Sequence, residues 1–334
     1  MVKRDSFVRR AVVLSFKLIS FTVLFLGLVL APAWAKPKQP APEIQDVIIV
    51  GDKVVDIAYN MRVLPKAMSV RCSIWEMCPM LRTASHVLGC PNNVTMMNKQ
   101  AVPDAVKNFG IKRVIVEKGE GFCLYQKKVN PMNVVELLKD SDVEIEYVDF
   151  SGGIEPAITQ TAKLLGCKDR GEALIARYKE NLEKAQAGLP KEKLGKKVLI
   201  LNGVYGKDSG KLSLRVEAPG LYSDQYLLAP LGCVNVGDAF KPSDGKVQKG
   251  YYPVRKTKEG PVLTPILAAD PDVIVVTGNA YAVQKALSEF GEKEAKLAEV
   301  KAIKNLQIFH LPVYINSSVI EYPDILRQWT AALM

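Results

Sequence analysis

Residues 71–80, RCSIWEMCPM, place Arg71, Cys72, Trp75, Glu76, Met77, Cys78 and Met80 within one short run. Sulfur donors at this density suit copper(I) or an axial contact to heme iron, and His86 and Cys90 follow shortly after. Cys72, Cys78 and His86 are therefore the metal-ligand set that the sequence offers. The spacing C-x5-C-x11-C matches no zinc signature, in which paired cysteines stand roughly two to four residues apart. A disulfide (Cys72–Cys78 or Cys78–Cys90) competes with the metal reading, because the chain has six cysteines, an even number, and an oxidising compartment favours pairing. Catalysis by Cys72 or Cys78 would require a thiolate beside His86. The chain contains no G-x-S-x-G, C-x-x-C or H-E-x-x-H run, and the reading is a non-enzyme without a resident cofactor.

The compartment follows from the N-terminus. Lys3, Arg4, Arg9, Arg10 and Lys17 precede a 13-residue apolar run, Leu18–Leu30, and Ala33-Trp34-Ala35 supplies small residues where a signal peptidase reads. The run falls short of the roughly 20 residues that span a bilayer. Residues 1–35 are read as a secretory signal peptide, which places the mature chain in the periplasm. Roughly 300 residues then remain, enough for two domains with cores of their own. The formal net charge of +10 falls to about +6 without the leader. No Lys/Arg run with interleaved aromatics marks a nucleic-acid surface, and the protein is expected to act as a monomer.

The elements that would position the cysteine-rich run come next. KPKQPAPE (36–43) is a polar, proline-rich tether. DVIIV (46–50), KRVIVEKG (112–119) and VEIEYVDF (143–150) read as strands, with helices expected over 54–61, 80–89 and 130–142. DRGEALIARYKENLEKAQAGLP (169–190) sets Leu174, Tyr178, Leu182 and Ala185 on one face and ends on Gly188 and Pro190, so it reads as one long helix. KKVLILNG (196–203), PDVIVVTGN (271–279) and LQIFHLP (306–312) open a second strand–helix series, with 281–290 as a helix. Strand–helix alternation argues for parallel α/β layers. Leu-Gly-Cys recurs in VLGCPNN (87–93), LLGCKDR (164–170) and PLGCVNV (230–236), and each Gly is expected to end a helix in the left-handed region.

Taken in order, these segments resemble the class III periplasmic substrate-binding proteins of ABC importers, the group that serves iron–siderophore, heme and corrinoid uptake. PGLYSDQYLLAPLGCVNVGD (219–238) is similar to that family's helix and "LGG-x-N-V" segment. PVLTPILAADPDVIVVTGN (261–279) resembles its "N-P-D-V-I-I-V" strand, and AEVKAIKNLQIFHLP (298–312) its closing "L-x-A-V-K-N-G-R-V-Y-x-L". ITQTAKLLGCKDRGEALIARYKENLEKA (158–185) matches the entry to the bridging helix, and AVPDAVKNFGIKRVIVEKG (101–119) a first-lobe segment. The early "P-S-x-T-E-I-L" motif is missing from 51–70.

The resemblance implies two Rossmann-like α/β lobes joined by a long helix, with a ligand cleft between them. The boundaries are 44–165 for the N-terminal lobe, 166–190 for the bridging helix and 191–334 for the C-terminal lobe. It implies a protein that captures a metal chelate and delivers it to an ABC permease. A bare transition-metal carrier using Cys, Met and His, or a secreted adaptor or sensor, is the alternative. Ligand contacts are expected from loops after strand ends: Arg71, Ser73, Trp75, Lys118, Tyr205, Tyr222, Asn279 and Tyr281, with Arg215, Tyr251 and Tyr252 nearby. Asp104 stands where the family carries an importer-docking carboxylate, whereas Thr264 and Pro265 occupy the second docking position. His310 is expected in the core.

Overall fold

Hydrophobic runs with both sheet faces covered set the architecture. The computed structural model describes residues 41–206, 209–258 and 260–334; the segment read as a signal peptide and most of the expected tether lie outside the described residues. In the first lobe, β1 (Glu43–Val50), β2 (Val63–Ser69), β3 (His86–Gly89), β4 (Arg113–Lys118) and β5 (Glu144–Asp149) form one sheet. Their order is β3-β2-β1-β4-β5, and every pairing is parallel. Along β1, Val47 and Ile49 enter one core cluster while Ile48 and Val50 enter another on the opposite face. A strand buried on both faces must be apolar at consecutive positions, which is why DVIIV does not alternate. Each such side chain contributes about 1.5–3 kcal/mol on burial. Helix α1 (Asp52–Asn60) crosses from β1 to β2, and α2 (Ala101–Phe109) leads into β4.

Helix α3 (Ile154–Leu164) ends at Gly166, whose φ of 65° lies in the left-handed region. Helix α4 (Lys168–Ala187) follows at once; its 20 residues span roughly 30 Å at the helical rise. It buries Leu174, Tyr178 and Ala185, three of the four residues of the expected face. Because bending would break i→i−4 hydrogen bonds, an uninterrupted helix between lobes resists hinge motion.

The second lobe holds β6 (Lys197–Tyr205), β7 (Leu212–Glu217), β8 (Val234–Asn235), β9 (Tyr251–Pro253), β10 (Val273–Gly278) and β11 (Ile308–His310). The order is β11-β10-β6-β7-β9, with β8 paired to β6. β10 and β11 run parallel to β6, whereas β7 and β9 are antiparallel. That antiparallel edge brings Arg215 and Tyr251 into the sheet. Helices α5 (Pro265–Ala269), α6 (Ala280–Gly291) and α7 (Tyr322–Leu333) complete the lobe. After β11 the chain returns to the first lobe, where Ile315, Val319 and Ile320 join that lobe's core. Residues 42–334 thus form one compact unit.

Three local expectations are corrected. Residues 80–89 are not one helix: a single turn, Cys78–Leu81, precedes β3, which contains His86. Gly89 therefore ends a strand, while Gly166 and Gly232 (φ 67°) end helical turns as expected. Residues 131–138 form a 3-10 helix instead of an α-helix. His310 is exposed at the end of a short edge strand, with Nε2 3.2 Å from the Gly278 carbonyl oxygen.

Candidate functional site

The C-terminal ends of β6 and β10 open onto the loop 71–79, and a cavity of about 610 Å³ lies between them. Ser73, Trp75, Glu76 and Tyr125 line it from the first lobe, and Asn202, Tyr205, Arg215, Tyr251 and Asn279 from the second. Ile315 of the returning segment lines it as well. Strand ends of an open α/β sheet leave backbone groups and loops free for a ligand. The two strands approach closely here: a Cβ on Gly203 would stand 2.0 Å from the Asn279 carbonyl oxygen. Asn279 caps α6, its Oδ1 accepting from the Ala282 amide at 2.8 Å.

The floor is built around Arg215. Its Nε donates to Asn202 Oδ1 at 2.8 Å, Asn202 Nδ2 donates to Thr277 Oγ1 at 2.9 Å, and the guanidinium lies 3.9 Å from the Tyr251 ring centroid. Stacking on an aromatic face together with one fixed hydrogen bond orients the planar cation. Glu217 is buried two residues along β7. Burial pushes its carboxyl up to about 7, with the Ser223 amide and Arg215 opposing the shift. Burial also raises the phenols of Tyr125 and Tyr251. Glu76 is raised by burial and lowered by the Val313 amide and by nearby His310.

Arg71 does not face this cavity. It is 3% exposed, and its Nε donates to Asp52 Oδ2 at 2.6 Å. Nη1 donates to the Phe122 carbonyl at 2.8 Å and to the Tyr222 hydroxyl at 2.9 Å; Nη2 donates to Ser317 Oγ at 2.8 Å. Burial opposes its charge, but Asp52 and then Tyr222 more than offset that and raise its pKa. Tyr222, 1% exposed, also accepts from the Leu124 amide at 2.8 Å. Arg71 and Tyr222 thus join the lobes behind the cleft.

Lys118 pairs with Asp149 at 2.8 Å and lines a separate first-lobe hollow of about 770 Å³ with Lys53 and Phe150. Tyr281 is 61% exposed on α6 and does not line the cleft cavity. Cys72 and Cys78 are joined in a disulfide, so neither supplies a thiolate. His86 stacks on Phe109 with ring centroids 4.7 Å apart. Among the described residues no group of three or more His, Cys, Asp or Glu side chains is placed to hold a metal. Asp104 is exposed in the first turn of α2. Tyr125 escapes a sequence reading because its segment, GFCLYQKKV, carries no strand or helix period.

A parallel-stranded first lobe, a mixed-sheet second lobe, a bridging helix and a cleft at strand ends define the fold of the two-lobe periplasmic binding proteins. Solved structures share it. The iron-uptake system-binding protein FeuA from Bacillus subtilis aligns at 14% identity over 86% of this chain and 94% of its own, with a TM-score of 0.54. The periplasmic heme-binding protein RhuT from Roseiflexus sp. RS-1, in apo form, aligns at 16% identity over 88% and 98%, with a TM-score of 0.52. The periplasmic heme-binding protein BhuT in complex with two hemes aligns at 14% identity over 88% and 100%, with a TM-score of 0.53. No protein-family model and no curated protein matches the sequence.

Proposed function

We propose that the protein is a periplasmic solute-binding protein that captures a metal chelate in the inter-lobe cleft and delivers it to an ABC importer. The observation that carries this reading is the cavity itself: about 610 Å³ at the strand ends, lined from both lobes by Trp75, Tyr125, Tyr205 and Tyr251, with Arg215 in its floor. Flat rings with polar tips bury a large, partly polar ligand, and one oriented guanidinium fixes an acceptor on it. Structural neighbours named for heme and for iron uptake support the chelate class. Ser73, Trp75, Tyr205 and Asn279 are assigned to ligand contact, and Asp104 to docking on the permease.

The leader of residues 1–35 supports export to the periplasm, and no helix of the described residues is long and apolar enough to cross a membrane. The test is a thermal-shift screen of ferric siderophores, heme, corrinoids and first-row metal ions. A chelate should raise the melting temperature and quench Trp75 fluorescence, whereas the bare ions should do neither. If no chelate does so, the reading falls.

A further inference from the structure

The lining of the cleft is nearly balanced in charge. Among its described residues, Arg215 is the sole cationic Lys/Arg side chain and Glu76 the sole carboxylate. Arg71 and Lys118, the other cations offered by the sequence, are answered by Asp52 and Asp149 and do not line the cavity. The lining also lacks a ready donor set for an unfilled metal position. Cys72 is oxidised to a disulfide, Tyr251 is a buried phenol stacked on Arg215, and the half-buried Tyr125 has its phenol raised chiefly by burial. The Glu76 carboxylate already accepts from the Val313 backbone.

We infer, building on the chelate reading above, that the cleft selects a coordinatively saturated metal chelate of near-zero net charge, with at most one carboxylate-like group, which Arg215 receives. A metal with open coordination positions would find no thiolate in the described lining. A polyanionic complex would bring several charges out of water into a site that compensates only one, and each uncompensated buried charge is costly. Arg215 itself is prepared for a bidentate acceptor. Its Nε is held by Asn202 and its plane by Tyr251, and among the described residues its terminal nitrogens donate to no protein acceptor. Specificity here is a difference of affinities, set as much by what the site refuses as by what it holds.

The experiment titrates the purified protein, followed by Trp75 fluorescence and calorimetry, with a neutral ferric trihydroxamate, a trianionic ferric triscatecholate and heme. The neutral chelate is expected to bind at least about a hundredfold tighter than the trianion, a difference near 2.7 kcal/mol. Heme should bind weakly and without the absorbance change of new axial ligation. Glu76→Gln, which removes the one described carboxylate of the lining, should tighten the triscatecholate by up to about tenfold, and a triscatecholate affinity unchanged in this variant overturns the charge account. A triscatecholate bound as tightly as the neutral complex, or heme bound tightly with axial ligation, overturns this inference and leaves the chelate reading standing. If neither these three nor a corrinoid binds, the chelate reading falls and takes the inference with it.

Discussion

Arg71 of the first lobe donates to the hydroxyl of Tyr222 of the second at 2.9 Å, and neither side chain is more than 3% exposed. The same guanidinium holds Asp52 at 2.6 Å, and Ser317 Oγ donates to Asp52 Oδ2 at 2.5 Å. One buried polar cluster therefore ties α1, the loop after β2, the Tyr222 segment and the returning C-terminal segment together. Removing one partner from such a cluster leaves a charge or donor stranded away from water. Arg71→Ala should destabilise the fold by about 3–5 kcal/mol, because Asp52 is left buried and uncompensated. Tyr222→Phe should cost about 1–3 kcal/mol. Equilibrium urea unfolding of both variants checks the order; a change under about 0.5 kcal/mol for Arg71→Ala would contradict the role.

Stability should fall with rising pH through Glu217. Its carboxyl is raised from 4.5 to about 7 by burial, so the folded state binds the proton more tightly than the unfolded state. Its contribution is full below pH 4.5 and is lost as pH rises through about 7. The shift corresponds to roughly 3 kcal/mol at 1.36 kcal/mol per pH unit. Melting curves of Glu217→Gln should be flatter than those of the parent between those two values; parallel curves would refute the assignment.

A second buried carboxyl acts in the same direction. Asp56 is 0% exposed, and burial, then the facing Glu321 carboxyl, push it well above the usual range. Asp56 Oδ1 and Glu321 Oε2 are both buried without another partner, an arrangement in which one proton shared between them satisfies both. Asn60 donates to Glu321 at 2.8 Å and the Ile320 amide to Asp56 at 2.9 Å, while Tyr314 stands close by. Asp56→Asn should stabilise the protein at alkaline pH and destabilise it little in acid. A loss equal at both pH values would show that the proton is not shared.

Reduction should loosen the cleft lip rather than unfold the protein. The Cys72–Cys78 bridge closes a loop with a sequence separation of 6, and constraining so short a loop contributes about 2 kcal/mol in the chain-entropy account. The double variant Cys72→Ser/Cys78→Ser should fold and bind the chelate more weakly. Thiol titration of the native protein should modify Cys90 and Cys233 well before buried Cys123 and Cys167.

Gly203→Ala tests the approach of β6 to β10. The new Cβ would lie 2.0 Å from the Asn279 carbonyl oxygen, a backbone atom that a side-chain rotation does not relieve. Overpacking of this kind costs about 1–3 kcal/mol, and because Asn279 lines the cleft, ligand affinity should fall together with the melting temperature.

Much of the architecture was legible because it rests on local pattern. The consecutive apolar run of β1, the amphipathic face of α4 and the strand at 273–278 each carry their period in the residues themselves. The misreadings have physical causes. His86 sits in a run whose Leu and Val suit helix and strand alike, and it takes the strand because β2 offers it a parallel partner. The antiparallel edge of the second sheet depends on pairing between residues 215–217 and 251–253, which no local period announces.

The site divides along the same line. By itself the sequence determined a two-lobe α/β layout, since this depends on composition, periodicity and chain order, and it set the expectation of a secretory leader and of a ligand at the loops after strand ends. Only the tertiary structure decided which charges line the cleft. Arg71 and Arg215 have the same chemistry, but the fold gives Arg71 a buried carboxylate and leaves Arg215 at the cleft with a ring beneath it. It also decided that two of the sulfurs in RCSIWEMCPM close a disulfide instead of holding a metal. A side chain's role follows from which partner neutralises or oxidises it, and that partner is chosen by long-range packing.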